Sequence, residues 1–528
     1  MTFPSKRPVR FFNTTGPCNP EDHYMLPPED RLVGAQLHRY IRDKLYWVLH
    51  APRQTGKTTF LQSWMRQINS GNEAVSCYVS VESCQGIPDR AEAMVTLHKA
   101  ICESARAMNL PIPELPLTNP ELLLYETMRK WSELIAPRPF VVLFDETDVL
   151  EGEALISFLR QLRNGFAVRG VGKFPVSIAL VGMKDLKDYI TSAKGGIPVN
   201  PGSPFNIKED SATIGNFNNE NIEHLFAQRT EETGQEISKE ALDYVWEQSR
   251  GQPWIVNSLY KRATMRILSD DDYSTVTLKH IKEAREQMIL ARETHLDSLV
   301  YRLENPGIRK IMESLIAGKT DPTLAESETF RLCLDLGLVV LERGTPTVAN
   351  PIYREVIARQ ITYSPQLAIP EPEWQWEKAD GSLDMDTLLK EFQNFWRKNS
   401  EIWEQKSDYT EAFPHLLLMA FLQRVLNGGG RIDREYAAGR GRMDIAVEYN
   451  GKMYIIEIKL VYSHNSIDEI RDEGIAQITK YRNSIDSSAP AYLVIFDRRS
   501  SSKSIPWDEK IYWMEENFAS GNITIVGC

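Results

Sequence analysis

Asp444, Glu457 and Lys459 lie in GRMDIAVEYNGKMYIIEIKL, residues 441–460, where two apolar, β-branched runs flank Asn450-Gly451. Asn-Gly between such runs is the strongest short-range signal of a two-residue hairpin turn. With that turn, Tyr449 faces Lys452 and Asp444 falls opposite Glu457. Cross-strand partners have Cβ atoms about 4.5–5.5 Å apart, and like charges placed there are destabilising. A divalent cation held by both carboxylates removes that penalty, and oxygen-only ligands suit Mg²⁺ or Mn²⁺. Alternation puts Lys459 on the strand face of Glu457 and sends Ile456, Ile458 and Leu460 into a core. Beside a bound cation, the lysine can orient a water and stabilise a pentavalent phosphorus. Taken alone, Glu-x-Lys is more often a solvated face or a cross-strand salt bridge.

A second stretch with chemistry in it is APRQTGKTTF, residues 51–60, directly after the apolar run YWVLH. Ala51, Pro52, Arg53, Gln54, Thr55, Gly56, Lys57 and Thr58 follow G-x-x-x-x-G-K-[ST], with Ala51 in place of the first glycine and Thr59 next in line. Such a loop turns backbone N–H groups inward around phosphate oxygens, with a helix N-terminus behind them. Lys57 would reach the β- and γ-phosphates of ATP, and the Thr58 hydroxyl would bind Mg²⁺. Alanine fits the first position if its φ is negative. Downstream, PFVVLFDETDVL ends a buried strand in Asp145-Glu146. Asp145 can hold the Mg²⁺ water shell and Glu146 can orient an attacking water. The strand VSIALVGMKDLKDY offers no clear γ-phosphate sensor, with Lys184 and Asp185 only nearby. Arg160 and Arg163 read as surface helix charges ahead of arginine fingers.

These residues need elements to hold them. YWVLH, VSCYVSV, FVVLF and VSIALV alternate with helical stretches, the pattern of a parallel, doubly wound sheet. The fold class is therefore α/β and multidomain. Residues 1–217 form the nucleotide-binding core, 218–292 a helical lid, and 293–363 helices plus a hairpin at Arg343-Gly344 that suggest a winged helix. SPQLAIPEPEWQWEKADGS lies within a linker, 364–385. In the last domain, 386–528, the helix EAFPHLLLMAFLQRVLN precedes the hairpin, a second helix and the strand AYLVIFD. The winged helix carries few basic residues, and Arg343 is expected to serve an intramolecular, regulatory role.

At 528 residues the chain has room for roughly three to four domains. A net charge of −11 argues against a surface that coats nucleic acid along its length and leaves a local basic groove open. No apolar run approaches the roughly 18 residues of a membrane span, and MTFPSKRPVRFFNTTG lacks a signal-peptide core. Six cysteines show no metal spacing and read as reduced thiols of a cytoplasmic protein.

FFNTTGPCNPEDHYMLP, HAPRQTGKTTF, LFDETD, GQPWIVNSLY and VANPIYREVI together resemble AAA-like ATPases related to the STAND and archaeal ATPase families, over residues 8–363. The resemblance implies that Gly251 and Pro253, as a G-x-P motif, pack near the adenine, with FNTTGP lining the same base pocket. The D…E-x-K hairpin resembles the PD-(D/E)XK nuclease superfamily, a restriction-endonuclease-like α/β fold, over residues 386–528. EGIAQITKY places Gln477 and Tyr481 four apart on one helix face, as in the Q-x-x-x-Y helix of its RecB-like branch. Glu411 stands where that family has a further metal-supporting acid, and YAAGRGRMDI resembles the approach to its metal aspartate, with Met443 in place of a proline. Arg431, Arg434, Arg440 and Arg442 suit a phosphate backbone running past the site, against the plainer reading of a solvated loop.

The expectation is an ATP-binding and ATP-hydrolysing, Mg²⁺-dependent DNA endonuclease (Mn²⁺ also suits the nuclease site) under control of the ATPase module. Defence against foreign DNA follows only by analogy. RNA as substrate and a homo-oligomeric state stay open, and no membrane partner is expected. The alternative is an ATPase switch whose C-terminal domain binds nucleic acid or a partner without cutting.

Overall fold

Strands β1 (Leu32–Val33), β2 (Tyr46–His50), β3 (Val75–Ser80), β4 (Phe140–Asp145), β5 (Ser177–Gly182) and β6 (Lys208–Ile214) form one sheet in the order β1-β6-β2-β5-β4-β3. Its neighbours run parallel except β1, which is antiparallel to β6. The computed structural model describes residues 10–183, 208–269, 273–291, 293–316, 327–368, 376–404, 413–426, 430–438, 441–461, 466–484, 486–497, 499, 506–518 and 521–528. The chain divides into two compact units, Met1–Asp297 with Arg331–Val340 and Ala349–Ile352, and Ser298–Phe330 with Leu341–Val348 and Tyr353–Cys528.

The near-continuous apolar strands of the first sheet are buried on both faces, as parallel strands are. Helices α1 (Leu37–Arg42) and α2 (Lys57–Ser70) cover one face through Tyr40, Phe60 and Trp64, which pack with Trp47, Leu49, Leu143 and Val181. On the other face α3 (Arg90–Ala107), α4 (Leu123–Ile135) and α5 (Gly152–Phe166) pack against Val48, Val79, Phe144 and Leu180. Among the described residues α6 (Asn219–Thr233), α7 (Lys239–Ser249), α8 (Pro253–Arg262), continued by a π-helical turn at Ala263–Ile267, and α9 (Leu278–Leu290) follow. The α8 start is set by Pro253 at its first turn and by the Gln252 side chain, which accepts from the Ile255 N–H.

The segment before β1 joins these layers. Phe12, fully buried, packs on Tyr24, Phe226 and Tyr260. Trp254 Nε1 donates to Thr14 O at 3.0 Å and Lys261 Nζ to Thr14 Oγ1 at 3.1 Å. The Cys18 N–H donates to Thr59 Oγ1 on α2 at 3.0 Å. His295 packs on Trp254, ring centroids 4.7 Å apart. Burial pushes the His295 pKa from 6.5 down to about 4. The native state therefore binds this proton less readily than the unfolded chain, so the stability is whole above pH 6.5 and falls as pH drops toward 4. Unfolding free energy is expected to decline by roughly 2 kcal/mol between pH 7 and pH 5 from this group. His295→Gln should flatten the slope, and denaturant melts with equal pH slopes in the two proteins would reject the assignment.

The range 293–363 holds α10 (Thr294–Arg302), α11 (Pro306–Ile316), α12 (Glu328–Asp335), the hairpin β7 (Val339–Glu342) and β8 (Thr345–Val348), and the start of α13 (Pro351–Ala368). It is shared between the two units. The expected hairpin turn is present, with φ of 52° at Arg343 and 84° at Gly344. Helix α12 stops at Asp335, because a left-handed Gly337, φ 68°, ends it.

The expected linker is mostly not free chain. Helix α13 runs to Ala368 and residues 369–375 lie outside the described ones, while Glu377 bridges Leu383 in a tight turn. That turn is bonded to the later hairpin. Tyr449 OH donates to Glu377 Oε2 at 2.8 Å, Asn450 Nδ2 to Gly381 O at 2.9 Å, and Lys452 Nζ reaches Asp380 Oδ2 at 3.1 Å.

The second sheet has strands β9 (Gly430–Ala438), β10 (Gly441–Tyr449), β11 (Lys452–Val461), β12 (Ala491–Asp497), β13 (Trp513–Phe518) and β14 (Gly521–Gly527), ordered β13-β14-β12-β11-β10-β9. β9 to β11 form an antiparallel meander, while β11, β12 and β14 run parallel. The arginine-bearing approach, read as a solvated loop or a phosphate track, is thus strand for most of its length. Arg431 and Arg434 lie on β9 and Arg442 on β10, while Arg440 is outside the described residues. Helices α14 (Met385–Glu404) and α15 (Phe413–Leu426) bring Phe392, Trp396 and Phe421 together, with Phe392 and Trp396 against Phe496 of β12. On the opposite face, α16 (Ile467–Ser484) packs Ile478 and Tyr481 against Ile455, Leu493 and Ile495.

Candidate functional site

The two clusters singled out by residue type lie one in each unit, the first at the ends of β2 and β4, the second in mid-strand on β10 and β11. In the first, β2 leads through residues 51–56 into α2. Gly56 has φ 96°, a backbone conformation that demands glycine, and a Cβ there would also meet Arg31 Nη2 at 2.9 Å. Lys57 Nζ donates to Ala51 O at 2.7 Å and Pro52 O at 2.9 Å. Thr55 Oγ1 donates to the same Pro52 carbonyl at 2.9 Å. Burial depresses the Lys57 pKa from 10.5 to about 8 against the pull of Asp145.

Asp145, 1% exposed, accepts from Thr58 Oγ1 at 2.6 Å and from Tyr78 OH at 3.1 Å, both on Oδ2. Burial raises its pKa, and the Thr58 hydrogen bond and the Lys57 charge oppose the rise. Glu146 takes a left-handed φ of 59° while its N–H donates to Asp145 Oδ1 at 2.9 Å. Non-glycine residues held there cluster at functional sites. Burial, then the neighbouring Glu82, Asp145 and Asp148 charges, lift the Glu146 pKa.

A cavity of about 710 Å³ opens beside these groups. Residues 53–54 and 56–59 line it with Asp145, Glu146 and Pro253, as do Asn13, Thr14 and Gly16 of the N-terminal segment. Ala51, 3% exposed, and Pro52 serve the loop's backbone instead. Gly251 accepts from the Phe217 N–H at 2.8 Å and does not line the cavity. Lys184 and Asp185 fall outside the described residues. Two contributors were not foreseen. Tyr78 ties β3 to Asp145, and its place two residues before the β3 end, beside the aspartate strand, was the available signal. Arg31 Nη1 donates to Thr55 O at 2.9 Å and Gly215 O at 2.8 Å, with its guanidinium over Phe217. No local pattern announces a contact 24 residues away. The oxygen donors Thr58 and Asp145, already held together, fit Mg²⁺, and the inward-facing loop with Lys57 fits a triphosphate.

In the second cluster the hairpin register runs Ile445↔Ile456 to Tyr449↔Lys452 around Asn450 and Gly451, φ 46° and 77°. The described register begins at Ile445↔Ile456, with Asp444 and Glu457 the next residue outward on each strand. The Asp444 side chain is outside what is described, and Glu411 lies wholly outside it. Glu457 is 2% exposed, and Lys459 Nζ stands 3.3 Å from its Oε1. The same ammonium lies 3.2 Å from Glu473 Oε1 on α16, a residue that no motif in the sequence marks. Gln477, one turn on, has a buried Oε1 with no hydrogen-bond partner among the described residues, while Tyr481 is 4% exposed in the core. Among the described residues no group of three His, Cys, Asp or Glu side chains converges as a metal cage. The buried Glu457 carboxylate and the unused Gln477 acceptor are oxygen donors that fit a hard divalent cation, with Asp444 supplying the facing strand.

Helix α16 approaches this closely because of Gly474. A Cβ there would lie 2.5 Å from Leu493 Cδ1, and Leu493 is the β12 neighbour of Glu457. Gly474→Val is expected to cost about 1–3 kcal/mol by overpacking. A melting temperature unchanged from the parent would count against that close packing.

Residues 409–496 match the PD-(D/E)XK nuclease superfamily. The chain is also similar to solved structures of other proteins. The Walker-type ATPase of Pyrococcus abyssi is 14% identical, with 66% of this chain and 99% of that one covered and a TM-score of 0.47. Cdc6p from Pyrobaculum aerophilum is 14% identical over 62% and 91%, TM-score 0.34. The RuvB Holliday junction branch migration motor of Thermotoga maritima is 14% identical over 63% and 91%, TM-score 0.33. A comparison with curated proteins found no match. Among the described residues no helix is long and apolar enough to cross a membrane. The PD-(D/E)XK nuclease match thus falls in the C-terminal part of the chain, and the N-terminal core is a largely parallel sheet with the 51–56 loop between β2 and α2.

Proposed function

We propose that the protein is a nuclease that cuts DNA with the help of a divalent cation, under the control of an ATP-binding and ATP-hydrolysing module on the same chain. The observation that carries the nuclease reading is the buried Glu457 with Lys459 beside it, on a strand paired with the one that bears Asp444, inside the matched superfamily segment. A cation at the two carboxylates would supply Lewis acidity at the scissile phosphate and a more acidic bound water. The chain's own part is to hold Lys459 where it can steady that water and the charge growing on phosphorus.

The control reading rests on the first site. Lys57 would cradle β- and γ-phosphates, Thr58 and Asp145 would hold Mg²⁺, and Glu146 would orient the attacking water. The N-terminal segment and Pro253 would enclose the base. A gated nuclease of this kind suits defence against foreign DNA, a role that rests on analogy.

The test is to incubate the purified protein with plasmid, linear and single-stranded DNA and with RNA, in Mg²⁺ or Mn²⁺, with and without ATP. Metal-dependent strand scission that changes with ATP is the expected result. Retention of nucleic acid without scission under every condition would favour the non-cutting switch instead.

A further inference from the structure

Lys459 is held by two carboxylates from different elements, Glu457 on its own strand and Glu473 on α16, at 3.3 and 3.2 Å. The lysine side chain is 15% exposed and Glu457 only 3%, whereas Glu473 is 56% exposed. An exposed ion pair by itself contributes little, so the question is why the third group is there. A divalent cation at Glu457 places two positive charges a few ångströms from the ammonium that bonds the same carboxylate. In a partly buried site that repulsion is large. It either weakens the metal or drives the lysine away from the place where the reaction needs it.

We infer that Glu473 is a positioning residue of the nuclease site: it takes over the Lys459 ammonium when Glu457 turns to the cation, keeping the lysine beside the metal. Glu473, Gln477 and Tyr481 recur every four residues along α16 and so form one row. Gly474 lets that helix settle onto Leu493, directly beside Glu457 on the neighbouring strand. The row therefore brings a carboxylate, an amide and a phenol-bearing ring down onto β11. The inference rests on the proposed nuclease reading and deepens it.

The experiment measures Mn²⁺ affinity, by calorimetry and by metal-dependent thermal shift, together with single-turnover DNA cleavage, on the full chain. The variants are Glu473→Gln, Glu473→Asp, Lys459→Met and the Glu473→Gln/Lys459→Met pair. Glu473→Gln should weaken Mn²⁺ about tenfold and slow cleavage about 10- to 100-fold, the scale seen when an outer partner of a metal site is lost, with the DNA concentration for half-maximal rate unchanged. Glu473→Asp should recover part of both. In the Lys459→Met background Glu473→Gln should cost no further Mn²⁺ affinity, because there is no ammonium left to hold. Equal losses in both backgrounds would make Glu473 a direct ligand and overturn the inference. A Glu473→Gln protein that matches the parent, or cuts faster, would overturn it as well. A parent that neither binds Mn²⁺ nor cuts would overturn the nuclease reading itself, with this inference included.

Discussion

Glu457→Gln is expected to reduce DNA cleavage on the order of 10²- to 10³-fold, the scale of losing one preorganised charge contact, while ATP hydrolysis continues at the parental rate. The glutamine keeps shape and burial but removes the charge that a cation needs from the one described carboxylate buried at this site. Asp444→Asn should match it in activity and differ in stability. With two opposed carboxylates reduced to one, the metal-free protein should be at least as stable as the parent, because like charges across a strand pair repel. Added Mn²⁺ raises the melting temperature of any protein whose native state binds it, and both variants should lose that gain. The sharp result is a melting curve that no longer responds to Mn²⁺ beside an unchanged ATPase. A variant that still gains stability from metal and still cuts DNA would reduce the pair to a surface feature.

Lys57→Ala should weaken nucleotide binding by about 10²-fold, since charged hydrogen bonds are worth roughly 1.5–3 kcal/mol each and the loop has one lysine to give. Glu146→Gln should bind ATP with near-parental affinity and hydrolyse it far more slowly. Its backbone N–H still closes onto Asp145, and only the group that would orient water changes. Equilibrium binding of a fluorescent ATP analogue separates the two cases from steady-state hydrolysis. If both variants hydrolyse ATP as the parent does, the cavity beside Lys57 and Asp145 has some other occupant.

What the amino-acid order made legible, and what it hid, divides along physical lines. Asn450-Gly451 between β-branched runs dictated a turn that only a few backbone conformations satisfy, and the register followed from counting. The loop before Lys57 was equally plain because glycine, lysine and threonine at fixed spacing answer one chemical demand. The missed strands are mostly edges or near-edges. β9 and β13 close the two ends of the second sheet and carry the charges that edge strands use against further pairing, so GRIDREYAA and WMEENF do not alternate cleanly. The turn Glu377–Leu383 read as linker because polar turn residues look alike whether solvated or docked. Tyr78, Arg31 and Glu473 were hidden for another reason. Each acts through a partner that tertiary packing alone brings near, and Glu473 reaches Lys459 only after Gly474 has let its helix settle.

The segment before β1 also bears on how the first unit comes to be folded. Arg10 pairs with Glu232, Thr14 meets Trp254 and Lys261, and Met25 exchanges hydrogen bonds with Gln228. Those partners lie more than 200 residues downstream. Contacts of such sequence separation carry the full cost of closing a long loop and form slowly. During synthesis, Phe11, Phe12 and Tyr24 leave the ribosome first and wait for α6 and α8 to be made before they can be buried. Strands β2 to β5 and the loop between β2 and α2 can assemble from residues 46–183 earlier, so the cavity wall that residues 13–16 supply closes after them. Protection of the 10–26 amides from hydrogen exchange should therefore trail that of β2, β4 and β5 in a refolding time course.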